Sequence, residues 1–309
     1  MIDLNEDTKS KITFNDAFKV WCRVKDGRIV SYEDERQRLE KYIVAPLGHL
    51  AINQINTPLI IKTISHLEDA GKYATLKRCL MRTREIMDLA VCCDYVDRNP
   101  IGKVSMIFTP AIPKHMPAIN WKELPEAMDV IATASKKIQL LFLWSATSIL
   151  RPGEVVKIRK SWIKDNVLTI PALEMKHKTE HRVPLTDYML KILEESKKVY
   201  QSSNSEFIFA AKNDSRHIYS QTLAKFLCHT SLRGRLVAHG LRSVARSWMA
   251  DHSVPFEVAE QCLSHVVGSR ATRSYQRSDY LEIRREIMNE WCDYIMRCAK
   301  NANVMPELC

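Results

Sequence analysis

Between Val237 and Tyr275 the chain places His239 and Arg242 in an H-x-x-R pair at a helix start, His265 after an amphipathic run, and Tyr275 ten residues further on. Upstream, Arg151 and Glu154 form an R-x-x-E pair behind an apolar run, and Lys176 lies between two strand-like segments. In-line attack on a phosphodiester builds negative charge on the non-bridging oxygens. Arginine suits that charge because its planar fork binds two oxygens and stays protonated. Arg151 and Arg242 therefore qualify as a phosphate clamp, Tyr275 as a nucleophile able to form a covalent intermediate, and Lys176 as proton donor to the departing sugar oxygen. His239 and His265 can exchange protons near neutral pH or donate to the phosphate. Each pair also has a plainer reading, R-x-x-E as a surface ion pair and H-x-x-R as a helix start. Their order along one chain is what points to phosphodiester chemistry.

Composition narrows the partner. Lysine plus arginine outnumber aspartate plus glutamate by 46 to 36 in 309 residues, giving a formal charge of +10 and a pI near 9.1, a balance that favours a polyanion. No apolar run is long enough for a membrane span, and the start MIDLNEDTKSK is too polar for a signal peptide. The nine cysteines include no C-x-x-C pair, so reduced thiols and a cytoplasmic protein are expected. With no G-x-x-x-x-G-K-[ST] loop and no carboxylate cluster, neither a metal nor another cofactor is expected.

The elements that must position these residues are mostly helical. Apolar spacing predicts helices over residues 12–23, 32–43 and 73–93, and another opened by Thr57 as N-cap with Pro58 at its first position. Pro46 and Gly48 break the second of these, and Arg98-Asn99-Pro100 ends the longest. This predicts a helical domain over residues 1–103. Residues 104–119 carry three prolines and read as a linker. A second domain, 120–309, should hold helices over 121–132 and 135–148, the latter apolar enough to be buried, which delivers Arg151 to a turn. Short strands are expected at Val167–Ile170 and Arg182–Leu185, joined by the lysine-bearing loop, with helices over 187–200, 221–228, 240–251, 255–262, around Tyr275 and over 281–298. The fold class is mainly α with a small β-sheet, an α+β arrangement.

The order R-x-x-E, loop lysine, H-x-x-R, histidine, tyrosine resembles that of the tyrosine recombinase (phage integrase) family. The matching stretches are SILRPGEVVKI, IPALEMKHKTEHRVPLT, HGLRSVARSWM, LSH and RSYQRSD, and the wording is most similar to prophage and genomic-island integrases. TFNDAFKVW, APLGHLAINQIN and the Arg98-Asn99-Pro100 stop resemble the family's core-binding domain, so the likeness covers nearly the whole chain. It implies a helical core-type DNA-binding domain followed by a recombinase catalytic domain. Arg151 and Arg242 would clamp the scissile phosphate, His239 would transfer a proton, Lys176 would be the general acid, and His265 would hydrogen-bond the phosphate. Tyr275 would form a 3′-phosphotyrosyl bond, with Glu154 orienting Arg151. Lys178 rivals Lys176, and Tyr280 rivals Tyr275. Four protomers on two DNA sites would exchange strands through a Holliday junction, assisted by accessory DNA-bending or directionality proteins. The helix over 281–298, with Ile283, Ile287, Trp291 and Ile295 on one face, would contact a neighbouring protomer, against a plainer reading as packing within its own domain.

The chain departs from the family pattern twice. Core-binding-like sequence begins by Thr13, where prophage integrases usually carry a further arm-binding domain ahead of it, and Ser264 stands where glycine or alanine commonly precedes the histidine. For backbone contacts to a duplex gripped between the domains, the candidates are Lys72, Lys77, Arg78, Arg82, Arg233 and Arg235. The competing readings are a topoisomerase-like enzyme that cuts and reseals one strand, and a catalytically silent DNA-binding regulator.

Overall fold

The computed structural model describes residues 12–29, 31–109, 115–201, 204–212, 215–265 and 278–308. It divides into two compact units, Met1–Lys114 and His115–Cys309.

The first unit is helical. Helix α1 (Phe14–Lys25) begins at Thr13, whose hydroxyl accepts from the Asp16 N–H while the Asp16 carboxylate accepts from the Thr13 N–H, a reciprocal cap. Phe14, Ala17, Phe18 and Trp21 recur at helical spacing and are buried. Helix α2 (Tyr32–Leu39) runs on through a π-helical turn, Glu40–Val44, into Ala45–Leu47. Helical backbone therefore passes Pro46, which the sequence reading treats as a stop; the widened turn ahead of the proline relieves the ring–carbonyl clash of a regular helix. Helix α3 (Thr57–Asp69) is capped by Asn56, not Thr57: the Asn56 side chain accepts from the Leu59 N–H at 3.0 Å. The Thr57 hydroxyl instead donates to the carbonyl of Pro100 at 2.7 Å. Helix α4 (Tyr73–Cys92) buries Leu76, Leu80, Ile86 and Met87. Packing continues past residue 103, with Val104 and Phe108 buried in this unit's core.

In the second unit α5 (Leu124–Ala132) follows a 3-10 turn at Trp121–Glu123 and leads to α6 (Lys136–Ser148). Every side chain of α6 from Gln139 to Ser148 is buried, so it is the central helix. Its hydroxyls stay satisfied by bonding back one turn, as Ser145 does to the Leu141 carbonyl at 2.6 Å. The short helix α7 (Pro152–Val155) follows. An antiparallel sheet comes next, in the order β1 (Ile163–Lys164), β2 (Val167–Ile170), β3 (His181–Pro184). Strand β1 is absent from the sequence reading; Asp165 and Asn166, with φ of 51° and 56°, make the two-residue turn that pairs it with β2. Strand β3 starts one residue before its expected position, bringing His181 opposite Ile170. Phe207 to Phe209 forms no strand, only an isolated bridge from Phe207 to Arg159.

Helices α8 (Asp187–Val199), α9 (Thr222–Leu227), α10 (Gly240–Asp251), α11 (Phe256–Cys262) and α12 (Leu281–Asn301) complete the unit. The face of α12 expected to meet a neighbouring protomer is occupied within its own unit. Ile287, Trp291 and Ile295 are buried, and the Trp291 indole donates to the Ala146 carbonyl of α6 at 2.8 Å. Only Ile283, the first of the four, is substantially exposed. Among the described residues no helix is long and apolar enough to cross a membrane.

Candidate active site

Two helix ends build the site. Central helix α6 closes at Ile149 in the left-handed region, φ 58°, an unusual conformation for a β-branched residue that costs about 1–2 kcal/mol. Burial of the Ile149 side chain offsets it. The turn aims the Ile149 carbonyl at Nη1 of Arg242, which donates to it. The second end is that of α11: Nη2 of Arg242 donates to the Leu263 carbonyl, and Nη2 of Arg151 donates to the next carbonyl, Ser264, at 3.3 Å. Guanidinium groups from positions 151 and 242 thus meet on one two-residue turn. Carbonyls at helix C-termini carry the partial negative charge that holds such cations.

Arg151 is fixed further. Its Nη1 donates to Glu154 Oε1 at 3.0 Å and to the Ser264 hydroxyl at 2.6 Å, and its backbone N–H donates to Glu154 Oε2 at 3.0 Å. The buried Glu154 therefore stands behind Arg151 rather than in solvent. Arg242 is 4 % exposed, and burial together with the Arg151 charge pushes its pKa down to about 10, so it remains a cation at neutral pH.

Nη2 of Arg242 also donates to His265 Nε2 at 3.1 Å, while His265 Nδ1 lies 2.7 Å from Glu260 Oε2. That pairing assigns the proton of the neutral ring to Nδ1. Glu260 in turn accepts from Nε of Arg246 at 2.8 Å. Burial alone would raise the Glu260 carboxyl, but hydrogen bonds from Arg246 and His265 outweigh it and hold it below the usual carboxylate range.

His239 is the N-cap residue of α10. Burial, and after it the charges of Arg242, Arg151, His265 and Lys176, lower its pKa below the ordinary histidine value. Gly240 beside it is a close-approach position: a Cβ there would lie 2.3 Å from the Pro117 carbonyl oxygen, so the start of α10 seats directly against the chain entering this unit.

Lys176 is exposed in the turn between β2 and β3, and its charge reaches both His239 and His177. Lys178 turns away, with φ of 53° and its Nζ donating to the Leu173 carbonyl of its own loop at 2.9 Å. Tyr275, and the short helix expected around it, lie outside the described residues. Its rival Tyr280 is the N-cap of α12 and packs against the hydrophobic core.

The structure thus gathers Arg151, Glu154, His239, Arg242 and His265, with Lys176 within electrostatic reach. Glu260, Arg246, His177 and the three arginine-binding carbonyls join the site without having been expected from the sequence. Glu260 carried a signal, since an acid five residues ahead of His265, near the end of the preceding helix, could orient the ring. His177 lies beside Lys176, and burial followed by the charges of Arg151, Lys176 and His265 lowers its pKa. Backbone acceptors leave no signature in residue type.

The basic residues named for DNA divide. Glu35, buried in the first unit, accepts from Arg78 at 2.8 Å and from Arg82 at 3.4 Å, and Arg82 also pairs with Glu85 at 2.7 Å. Arg235 bonds Glu126 at 2.6 Å and Glu123 at 2.8 Å. These three arginines are thus paired with the protein's own carboxylates, although Arg78 and Arg235 remain exposed. Lys72, Lys77 and Arg233 are exposed.

Comparison with known proteins matches residues 117–282 to the phage integrase family and residues 14–106 to the phage integrase central domain. Prophage integrase IntA of Escherichia coli (strain K12) is 33% identical over 295 residues, spanning 93% of this chain and 71% of IntA. The integrase of Shigella phage Sf6 is 25% identical over 293 residues, spanning 92% of this chain and 75% of the phage protein. Among solved structures, a lambda integrase tetramer bound to a Holliday junction superposes with a TM-score of 0.68 at 17% identity, covering 87% of this chain and 78% of that one. The Tn1549 transposon integrase in complex with transposon right end DNA gives 0.64 at 12% identity, covering 90% and 99%.

Proposed function

The chain belongs to the phage integrase family and is a site-specific tyrosine recombinase, and from that premise we propose how its own residues divide the work. Arg151 and Arg242 hold the non-bridging oxygens of the scissile phosphate. The Tyr275 phenol attacks phosphorus, and neutral His239 takes its proton. As the phosphotyrosyl bond forms at the 3′ side, the bond to the 5′-oxygen breaks, and Lys176 protonates that oxygen. A 5′-hydroxyl from another strand reverses these steps. One phosphodiester is exchanged for another at each stage, so no energy source is consumed. His265, held by Glu260 and accepting from Arg242, keeps that guanidinium aimed at the phosphate.

The observation that carries this reading is the meeting of Arg151 and Arg242 on the adjacent carbonyls of Ser264 and Leu263. Two cations brought this close repel one another, and the arrangement suits an anion lying between them. The partner is double-stranded DNA at recombination sites, with Lys72, Lys77 and Arg233 as backbone contacts. Assembly as a tetramer on paired sites, with accessory DNA-bending proteins, belongs to the same proposal and draws support from the tetrameric lambda integrase complex. A bacterial or phage-encoded cytoplasmic protein fits this work.

The test is a suicide duplex, selected from a randomised pool by binding to the protein and nicked near its centre. A covalent protein–DNA adduct that survives denaturant is expected in the presence of EDTA, and none with Tyr275→Phe. Undiminished adduct in that variant would replace the nucleophile. Binding without adduct in the parent protein would leave a silent regulator as the answer.

A further inference from the structure

We infer that Ser264 is a positioning residue that fixes which edge of Arg151 faces the scissile phosphate; the inference rests on Arg151 acting as a phosphate clamp. Ser264 has φ of 50°, a left-handed conformation that glycine adopts without penalty and serine does not. It closes α11, with the Ser264 N–H donating to the Gln261 carbonyl at 3.1 Å and the His265 N–H to the Glu260 carbonyl at 3.0 Å. Helices commonly end this way on glycine.

What the serine adds is its hydroxyl. It accepts from Arg151 Nη1 at 2.6 Å, while the other Nη1 hydrogen goes to Glu154 at 3.0 Å. Both hydrogens of that nitrogen are thereby used. One Nη2 hydrogen goes to the Ser264 carbonyl at 3.3 Å. Among the described residues, the edge formed by Nε–H and the second Nη2 hydrogen is the one left toward a ligand, and it presents two parallel donors to a pair of phosphate oxygens. With glycine at 264, Nη1 would recover a donor and the guanidinium could turn about its last side-chain torsion. The hydroxyl thus preorganises the clamp before DNA arrives.

The experiment compares the parent, Ser264→Gly, Arg151→Lys and the double variant on the same suicide duplex. Glycine suits the backbone at 264, so folding is not at risk, and the melting temperature should hold or rise. Single-turnover cleavage should nevertheless fall by about 10-fold, the scale of one charged hydrogen bond in the transition state, with DNA affinity unchanged. In the Arg151→Lys background, Ser264→Gly should cause no further loss, because lysine has no edge to select. A purely structural serine would move stability and cleavage together. Cleavage by Ser264→Gly at the parental rate would overturn the inference while an impaired Arg151→Lys left the clamp standing. Parental cleavage by Arg151→Lys would instead remove the clamp itself.

Discussion

Nη2 of Arg242 lies 3.1 Å from Nε2 of His265, and the same nitrogen serves the Leu263 carbonyl while Nη1 serves that of Ile149. One guanidinium therefore ties the end of the central helix to the end of α11 and to the second histidine. Lysine at this position would keep the charge but reach only some of these acceptors, leaving buried carbonyls unpaired. Arg242→Lys should lose roughly 2–4 kcal/mol of stability and about 100-fold or more in cleavage. Urea unfolding and adduct formation measure the two. A variant with parental stability would show that the carbonyl contacts hold nothing together.

Glu260 orients His265 from behind, at 2.7 Å. Glu260→Gln keeps the shape and an acceptor oxygen but weakens the charge-assisted bond, and it leaves Arg246 facing a neutral partner. Cleavage should fall by roughly 10-fold, within the range seen when an orienting partner is removed, with DNA affinity little changed. Loss of affinity without loss of rate would assign Glu260 to DNA binding instead.

The site was legible in the sequence where chemistry resides in side chains, and illegible where it resides in the backbone or in distant pairing. Arg151 and Arg242 stand out by type and by the buried helix that delivers the first of them. The carbonyls of Ile149, Leu263 and Ser264 do not, because any residue supplies one. Glu35 lies 43 and 47 residues from Arg78 and Arg82, so nothing local tells that these arginines share a buried carboxylate of the first unit. The apolar stripe of α12 announces burial but not its partner, which proves to be α6 of the same unit. Helices α4 and α10 read cleanly because periodicity and end signals agree, whereas β1, two residues long, offers too few residues for alternation to show.

His239 has a lowered pKa, from burial first and then from the neighbouring cations. The neutral ring is therefore favoured in the folded protein and persists to lower pH than an unperturbed histidine, which titrates near 6.5. If neutral His239 takes the phenolic proton, kcat/KM, which reports the free enzyme, should stay flat as pH falls through about 6.5 and decline only below it. His239→Gln should lower the rate and abolish that acid limb. An acid limb unchanged in the variant would assign it to another group.

His181 on β3 is buried, and burial followed by the charges of Arg284, Arg242 and Arg151 keeps its pKa well below the ordinary value. Its Nε2 has no hydrogen-bond partner among the described residues. The folded chain thus holds this ring neutral, whereas the unfolded chain binds a proton below about pH 6.5. Stability present above that pH is lost as pH falls toward the folded-state value, by up to about 1.4 kcal/mol per pH unit for one such group. Thermal melting between pH 7 and 5 should fall steeply in the parent and less steeply in His181→Gln. Equal slopes would mean that the loss comes from other groups.

Lys176 and Lys178 share one turn, but the Lys178 amine is tied to the Leu173 carbonyl at 2.9 Å while the Lys176 charge reaches His239. A general acid contributes about 100-fold to 10,000-fold, so Lys176→Ala should slow cleavage on that scale and Lys178→Ala should change it little. Exposed position alone cannot explain such a loss, and the leaving group supplies the control. A substrate with sulfur in place of the bridging 5′-oxygen departs as a thiolate without needing a proton. On that substrate Lys176→Ala should recover to near the parental rate, whereas Arg151→Lys, which removes the two-pronged hold on the phosphate oxygens rather than a proton, should stay slow. Failure of the sulfur substrate to rescue Lys176→Ala would place the lysine on the phosphate instead of the departing oxygen.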